Sequence, residues 1–243
     1  MLRMRFLLRL LCLLGALPSC LAATPLLIGV PEPNTLAGMG RAVLQRAYAR
    51  LDLDFQPQVL PLRRALQMAA AGQLDGDLMR NAEVLKDHPE LLRVNVPVAI
   101  GVYSAYRRPP CPAQIGVAEL AGKRAAYFRG VRAIEALLPP QALLAARDSW
   151  DALRHVQQGI TEYAIGMQFE SDALLLRHPE IEICRIATPV LTVPLYHALN
   201  KRHAALVPKL EAVLREMDRQ GEIARIWAAE EKHALDGLPR DAP

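Results

Sequence analysis

Short apolar runs that read as strands alternate along this chain with stretches of helical spacing. Pro25 to Val30 reads as a first strand, Leu36 to Arg50 as a helix and Phe55 to Leu60 as a second strand. Pro61 is expected at the first position of the next helix, where its missing amide hydrogen leaves no bond unmade. That helix runs to about Ala71, Gly72 ends it, and Asp75 to Met79 forms a third strand. Arg93 to Tyr103 is a longer extended run interrupted by Pro97. After a Pro-rich loop at residues 109–112, Ala125 to Phe128 is a strand and Arg129-Gly130 turns into a helix from about Val131 to Leu138. Leu143 to Ala146, Tyr163 to Gly166 and Ile181 to Ile186 read as strands, with helices at Trp150 to Gln158 and Gln168 to Arg177. The chain closes with an apolar strand from Val193 and a helix through Gln220. Leu206, Leu210, Val213, Leu214 and Met217 share one face of that helix. Gly221 stands where a left-handed cap is expected, and a second helix follows with Ile223, Ile226 and Trp227 on one side. Trp150 and Trp227 lie in helical patterns and read as core.

Alternating strands and helices of this length place the chain in the α/β class. The first 23 residues stand apart. Met1 to Arg5 is a short basic start, Phe6 to Leu17 is mostly apolar, and small residues follow at Ala22 and Ala23. This reads as a secretory signal peptide over 1–23; a membrane span needs about 20 apolar residues. Cleavage is expected after Ala22 or Ala23. The alternative is a lipoprotein leader with Cys20 as the lipidated residue, set in Leu17-Pro18-Ser19-Cys20. Periplasmic export is the expected localisation.

Setting the leader aside changes the charge and the cysteine count. Of 29 basic residues three are in the leader, which leaves 26 against 25 acidic ones. A near-neutral mature chain gives no reason to expect nucleic acid or an anionic membrane as partner. Two cysteines remain, Cys111 in the Pro-rich loop and Cys184 in a strand-like run. In an oxidising compartment a disulfide between them is expected; the alternative for Cys184 is a buried small hydrophobe. Neither has His or Cys neighbours at ligand spacing, so no metal and no cofactor is expected.

Several landmarks recur in order. Ile28-Gly29-Val30-Pro31-Glu32-Pro33 forms an opening strand, Gly72-x-x-Asp75-Gly76 a step into the third strand, and Leu120-x-Gly122-Lys123-Arg124 with Arg129-Gly130 the start of a second unit. Asn200-Lys201, Leu206-Val207-Pro208 and Met217 to Gly221 to Ile226 close the chain. Together these resemble bacterial extracellular solute-binding proteins of family 3, over essentially the whole mature chain. The resemblance implies a type II periplasmic-binding fold: two lobes, each a mixed, mostly parallel sheet flanked by helices, joined by a two-segment hinge. Lobe 1 is expected over 24–103 with a return segment at 191–236, lobe 2 over 104–190, and a tail at 237–243. The crossings are expected near Val102 to Arg107 and Ala187 to Val193.

In open α/β sheets ligands bind beyond the carboxyl ends of the strands. That selects Glu32 after the first strand, Arg64 in the turn after the second, Arg80 after the third, Tyr103 on the long run and Arg129 after the first strand of lobe 2. An Arg grips a carboxylate through two parallel hydrogen bonds, and the resemblance implies that role for Arg80; the alternative is pairing with Asp77. Glu32 suits a ligand ammonium, and Tyr103 suits stacking or burial in the hinge. The family's Gly-Ser/Thr-Thr at the second lobe is replaced by Gly130-Val131-Arg132, so a hydroxyl is missing; amides and Arg129 remain for an anion. Glu170 stands near the place of a family Asp that holds an amino group, with a helix N-terminal charge as its plainer reading.

No nucleophile elbow, zinc-protease or phosphate-loop motif occurs, and the six histidines are scattered. The expectation is a non-enzymatic, monomeric solute-binding protein. It would capture a small polar solute, anionic or amino-acid-like, in the inter-lobe cleft and deliver it to an inner-membrane ABC transporter. The alternatives are an orphan sensory binder acting on an envelope partner, and a periplasmic enzyme such as a dehydratase on the same scaffold.

Overall fold

The computed structural model describes residues 25–32, 34–129 and 131–237. The expected signal peptide over 1–23, Gly130 and the tail beyond residue 237 lie outside the described residues. Lobe 1 begins with β1 (Leu26–Val30), α1 (Thr35–Ala49), β2 (Phe55–Val59), α2 (Leu62–Ala70), β3 (Gly76–Arg80) and α3 (Ala82–Lys86). A long β4 (Leu91–Arg107) leads to α4 (Val117–Ala121), β5 (Ala125–Phe128), α5 (Arg132–Leu137), β6 (Leu143–Ala146) and α6 (Ser149–Gln157). β7 (Tyr163–Met167), α7 (Gln168–Arg177) and β8 (Cys184–Arg185) complete lobe 2. β9 (Leu191–Asn200), α8 (Val207–Arg219) and α9 (Glu222–Gly237) return to lobe 1.

The strands run in the order β2-β1-β3-β9-β4-β7-β5-β6, with β8 on β4. β1 is parallel to β2 and β3; β5 is parallel to β6 and β7. β9 is antiparallel to both β3 and β4, and β4 is antiparallel to β7. β3 and β4 therefore point the same way, and β7 points back. The carboxyl ends of β1–β3 consequently face the carboxyl ends of β5–β7. The register sets the gap between them. Arg80 at the end of β3 lies level with Tyr196, which pairs with Pro97, while Met167 at the end of β7 pairs with Tyr103. Six residues of strand separate those levels, about 20 Å at ~3.3 Å per residue. Across this gap only β4 and β9 continue, paired from Ala99–Leu195 to Tyr103–Leu191. This is a two-lobed periplasmic-binding fold with a two-stranded hinge.

Each lobe has its own core. In lobe 1, α1, α8 and α9 cover one sheet face over Ile28, Val43, Leu44, Leu78, Val98, Leu210 and Leu214. A smaller cluster around Leu66, Ala69, Leu74 and Leu85 packs α2 and α3 on the other face. In lobe 2, Tyr103, Tyr127, Ile134 and Ile165 form one layer and Tyr106, Leu153, Val156 and Ala164 the opposite one.

Turn chemistry places the helices. Asn34 caps α1 by accepting from the Ala37 amide, Asn81 caps α3 from Val84, and Asp148 caps α6 from Asp151. Gly72 and Gly221 take the left-handed conformations at φ 75° and 66° expected of helix stops. The Gly-x-x-Asp step has a structural explanation: Asp75 Oδ2 accepts from the Leu27 amide at 2.7 Å and Oδ1 pairs with Arg202 and His203. Cys111 and Cys184 form a disulfide that ties the Pro-rich loop to β8.

Some expected boundaries shift. Pro61 is the residue before α2, with ψ 136°, rather than its first helical position. β4 passes through Pro97 without ending; the register slips there because proline has no amide to give the ladder. Only Cys184 and Arg185 of the predicted Ile181–Ile186 strand pair with β4. The Ile181 and Ile183 amides instead turn back to His178 and Ile181 carbonyls, while their side chains stay buried. The five-residue helices α3 and α4 were absent from the periodic pattern, being too short to show a period.

Candidate functional site

The opposed strand ends define a cleft. On the lobe 1 side its central charged group is Arg80, which is only 8 % exposed. Its Nη2 lies 2.7 Å from Asp77 Oδ2 and also donates to the Leu62 carbonyl; Nη1 donates to the Met79 carbonyl at 3.0 Å. Asp77 is fully buried, and burial pushes its carboxyl up to about 7 against the pull of Arg80. The Asp77 backbone carbonyl accepts from His197 Nδ1 at 2.8 Å, and His197 Nε2 meets Tyr48 Oη at 2.9 Å. A carbonyl only accepts, so Nδ1 carries the proton and Tyr48 donates to Nε2. Burial holds the His197 imidazole down at about 4. Tyr48, His197, Asp77 and Arg80 thus join α1, β9 and β3 to the start of α2 as one buried polar chain. The arginine is held in place by bonds of its own.

The other lobe 1 candidates are open to solvent. Glu32 and Arg64 are exposed, and Val59 and Leu62 beside them are 57 % and 55 % exposed. On the lobe 2 side, Phe128 is 47 % exposed and Arg129 follows it at the surface. Both edges of the cleft therefore present apolar side chains next to arginines.

Within lobe 2, Tyr103, Phe128, Val131, Ile134, Ser149 and Glu170 border a small pocket at the ends of β5 and β7. Ser149 donates to Glu170 Oε2 at 3.0 Å. Burial raises the Glu170 carboxyl, the Ser149 bond opposes this, and the Asp148 charge adds to it. Burial, reinforced by the Glu170 charge, raises the Tyr103 phenol. Glu170 has no cationic partner among the described residues and is the acceptor this pocket offers to an ammonium. The structure thus gathers Tyr103, Glu170 and Ser149 at one wall. Arg80 sits apart with Asp77, and Glu32, Arg64 and Arg129 lie at the rims. Ser149 was missed from the sequence because a serine opening a helix reads as an N-terminal residue, and its contact with Glu170 spans 21 positions.

No protein-family model matches the chain, and no curated protein matches it. Solved structures of the same architecture do. A histidine kinase sensor domain with similarity to periplasmic binding proteins aligns over 85 % of this chain and 95 % of its own, at 16 % identity and a TM-score of 0.60. The GluR0 ligand-binding core in complex with L-glutamate aligns over 86 % and 98 %, at 14 % identity and a TM-score of 0.66. An ancestral arginine-binding protein bound to arginine aligns over 86 % and 98 %, at 13 % identity and a TM-score of 0.62. At these identities the likeness establishes the fold alone: a two-lobed, periplasmic-binding-type architecture.

Proposed function

We propose that this protein is a periplasmic solute-binding protein, akin to family 3, which closes its lobes on a small zwitterionic or amino-acid-like solute. The observation that carries this reading is the opposition of six parallel strand ends across a two-stranded hinge, with charged groups at the facing rims that have no partner among the described residues. Glu170, set between Ser149 and Tyr103, receives the solute's ammonium. Arg64 or Arg129 at the rims receives its carboxylate, and the helix amides near Val131 assist. Closure buries Val59, Leu62 and Phe128, which supplies a hydrophobic term for the closed state. Among the described residues no side chain at the rim is poised as a nucleophile or general base, and His197 is buried and bonded on both nitrogens. We therefore read the cleft as binding rather than catalytic, with delivery to an ABC permease as the outcome.

One observation favours a second reading. Arg80 is occupied by Asp77, and Val131 brings no hydroxyl, so the familiar carboxylate clamp is incomplete. Among proteins of this fold is a kinase sensor domain. On that reading the protein reports ligand occupancy to an envelope partner.

The test is thermal unfolding of residues 24–243 against amino acids, organic acids, polyamines and phosphates. A solute at a hundredfold its dissociation constant stabilises by about 2.7 kcal/mol. The expected hit carries an ammonium group, and Glu170→Gln abolishes its shift. A hit restricted to simple anions, unaffected by Glu170→Gln, would refute this assignment of the site.

A further inference from the structure

The hinge has a second face. From Ala99 to Tyr106 the β4 ladder is regular, so side chains alternate. Tyr103 looks toward α5 and the solute cleft, whereas Ile100, Val102, Ser104 and Tyr106 look the other way. Ser104 hydrogen-bonds Gln168 and Tyr106 hydrogen-bonds Asp172, both on α7, which fixes that direction. On this far side lies a cavity of about 300 Å³, at the lower bound of the ~300–1,000 Å³ typical of small-molecule sites. Leu36 and Met39 of α1, Ile100 and Val102 of β4, and Phe169 of α7 give it apolar walls.

Two carboxylates reach it, and they differ. Asp172 is satisfied: Tyr106 Oη donates to Oδ1 at 2.9 Å and Arg185 Nε lies 3.3 Å from Oδ2. Glu231, projecting from α9, has no hydrogen-bond or ion-pair partner among the described residues, and burial raises its carboxyl. A largely apolar chamber with one carboxylate that has no partner among the described residues is complementary to a monocation with a compact apolar body.

We infer that this cavity is a second binding site, distinct from the solute cleft, for a small alkyl- or arylalkylammonium compound held by Glu231. Its walls come from both lobes, since α1 and α9 belong to lobe 1 and α7 to lobe 2. An occupant therefore fixes one lobe spacing, and its binding is coupled to solute binding on the opposite face. The site stands independently of the solute assigned to the cleft.

Calorimetric titration of residues 24–243 with hexylammonium and with its neutral analogue 1-hexanol tests this. A charge-assisted bond predicts a preference for the ammonium of about tenfold or more. In Glu231→Gln that preference falls to near unity while hexanol binding is retained. Glu231 has no bonding partner among the described residues, so the unfolding midpoint of the variant without ligand should match the parent's, which checks that the fold is intact. No hexylammonium binding at millimolar concentration, or an undiminished preference in Glu231→Gln, would overturn the site.

Discussion

At the residue scale the decisive group is Arg80. A charged residue closing a strand at a cleft is what a ligand clamp looks like in sequence, and its placement at that strand end was legible. The alternative offered by the sequence, pairing with Asp77 three residues earlier, is what the structure shows, and the two lie close because β3 has an irregular register between those positions. A regular strand would have put them on opposite faces. With Arg80 removed, Asp77 is a buried charge without compensation. Arg80→Ala is therefore expected to destabilise the protein by about 3–5 kcal/mol in urea unfolding, whereas Arg64→Ala, exposed on α2, should stay within ~0.5 kcal/mol.

His197 gives a pH prediction. Its imidazole titrates near 4 in the folded chain and at the ordinary 6.5 when unfolded. Between those values the unfolded state binds the extra proton, so stability is full above 6.5 and is lost as pH falls toward 4. From pH 7.5 to pH 5 the loss amounts to about 2 kcal/mol. Asp77, shifted upward, acts in the opposite direction between about 4 and 7, so the comparison is between wild type and His197→Phe. The acid-side loss attributable to His197 disappears in the variant; identical pH dependence in both chains would contradict this assignment.

At the element scale, the short strands and the longer helices were readable because burial follows their period. β5, β6 and α7 fall where the pattern puts them. The segment at Ile181–Ile186 shows why pattern and pairing part company. Its isoleucines are buried as an alternating strand would bury them, yet the backbone turns and only Cys184 and Arg185 join the sheet. Side-chain periodicity reports burial, not hydrogen bonding. The disulfide at Cys184 anchors this short edge to the loop at Cys111 across 73 positions. In the chain-entropy description a loop of that size contributes about 4 kcal/mol. Paired Cys111→Ser and Cys184→Ser substitutions should lower the urea midpoint accordingly and match the reduced wild type, with no free thiol titratable in the untreated protein.

At the scale of the whole molecule, the two-lobed plan was legible from the order of landmarks, while the pockets were not. The lobe 2 pocket joins residues from β4, β5, α5, α6 and α7, and the hinge cavity joins α1, β4, α7 and α9. No local signal marks residues that meet only through a crossover topology. Sequence therefore pointed to strand ends that the fold sets facing one another across the cleft, and the fold decided which of those side chains remain available. The arginines at the rims and Glu170 stay available; Arg80 is tied to Asp77.

Closure is the central claim, and small-angle X-ray scattering measures it most directly. Residues 24–243 would be measured alone and with a saturating amount of the ammonium-bearing solute selected by thermal unfolding. The account predicts a smaller radius of gyration with solute, and no such change for Glu170→Gln under the same conditions. An unchanged radius with the solute demonstrably bound would contradict it.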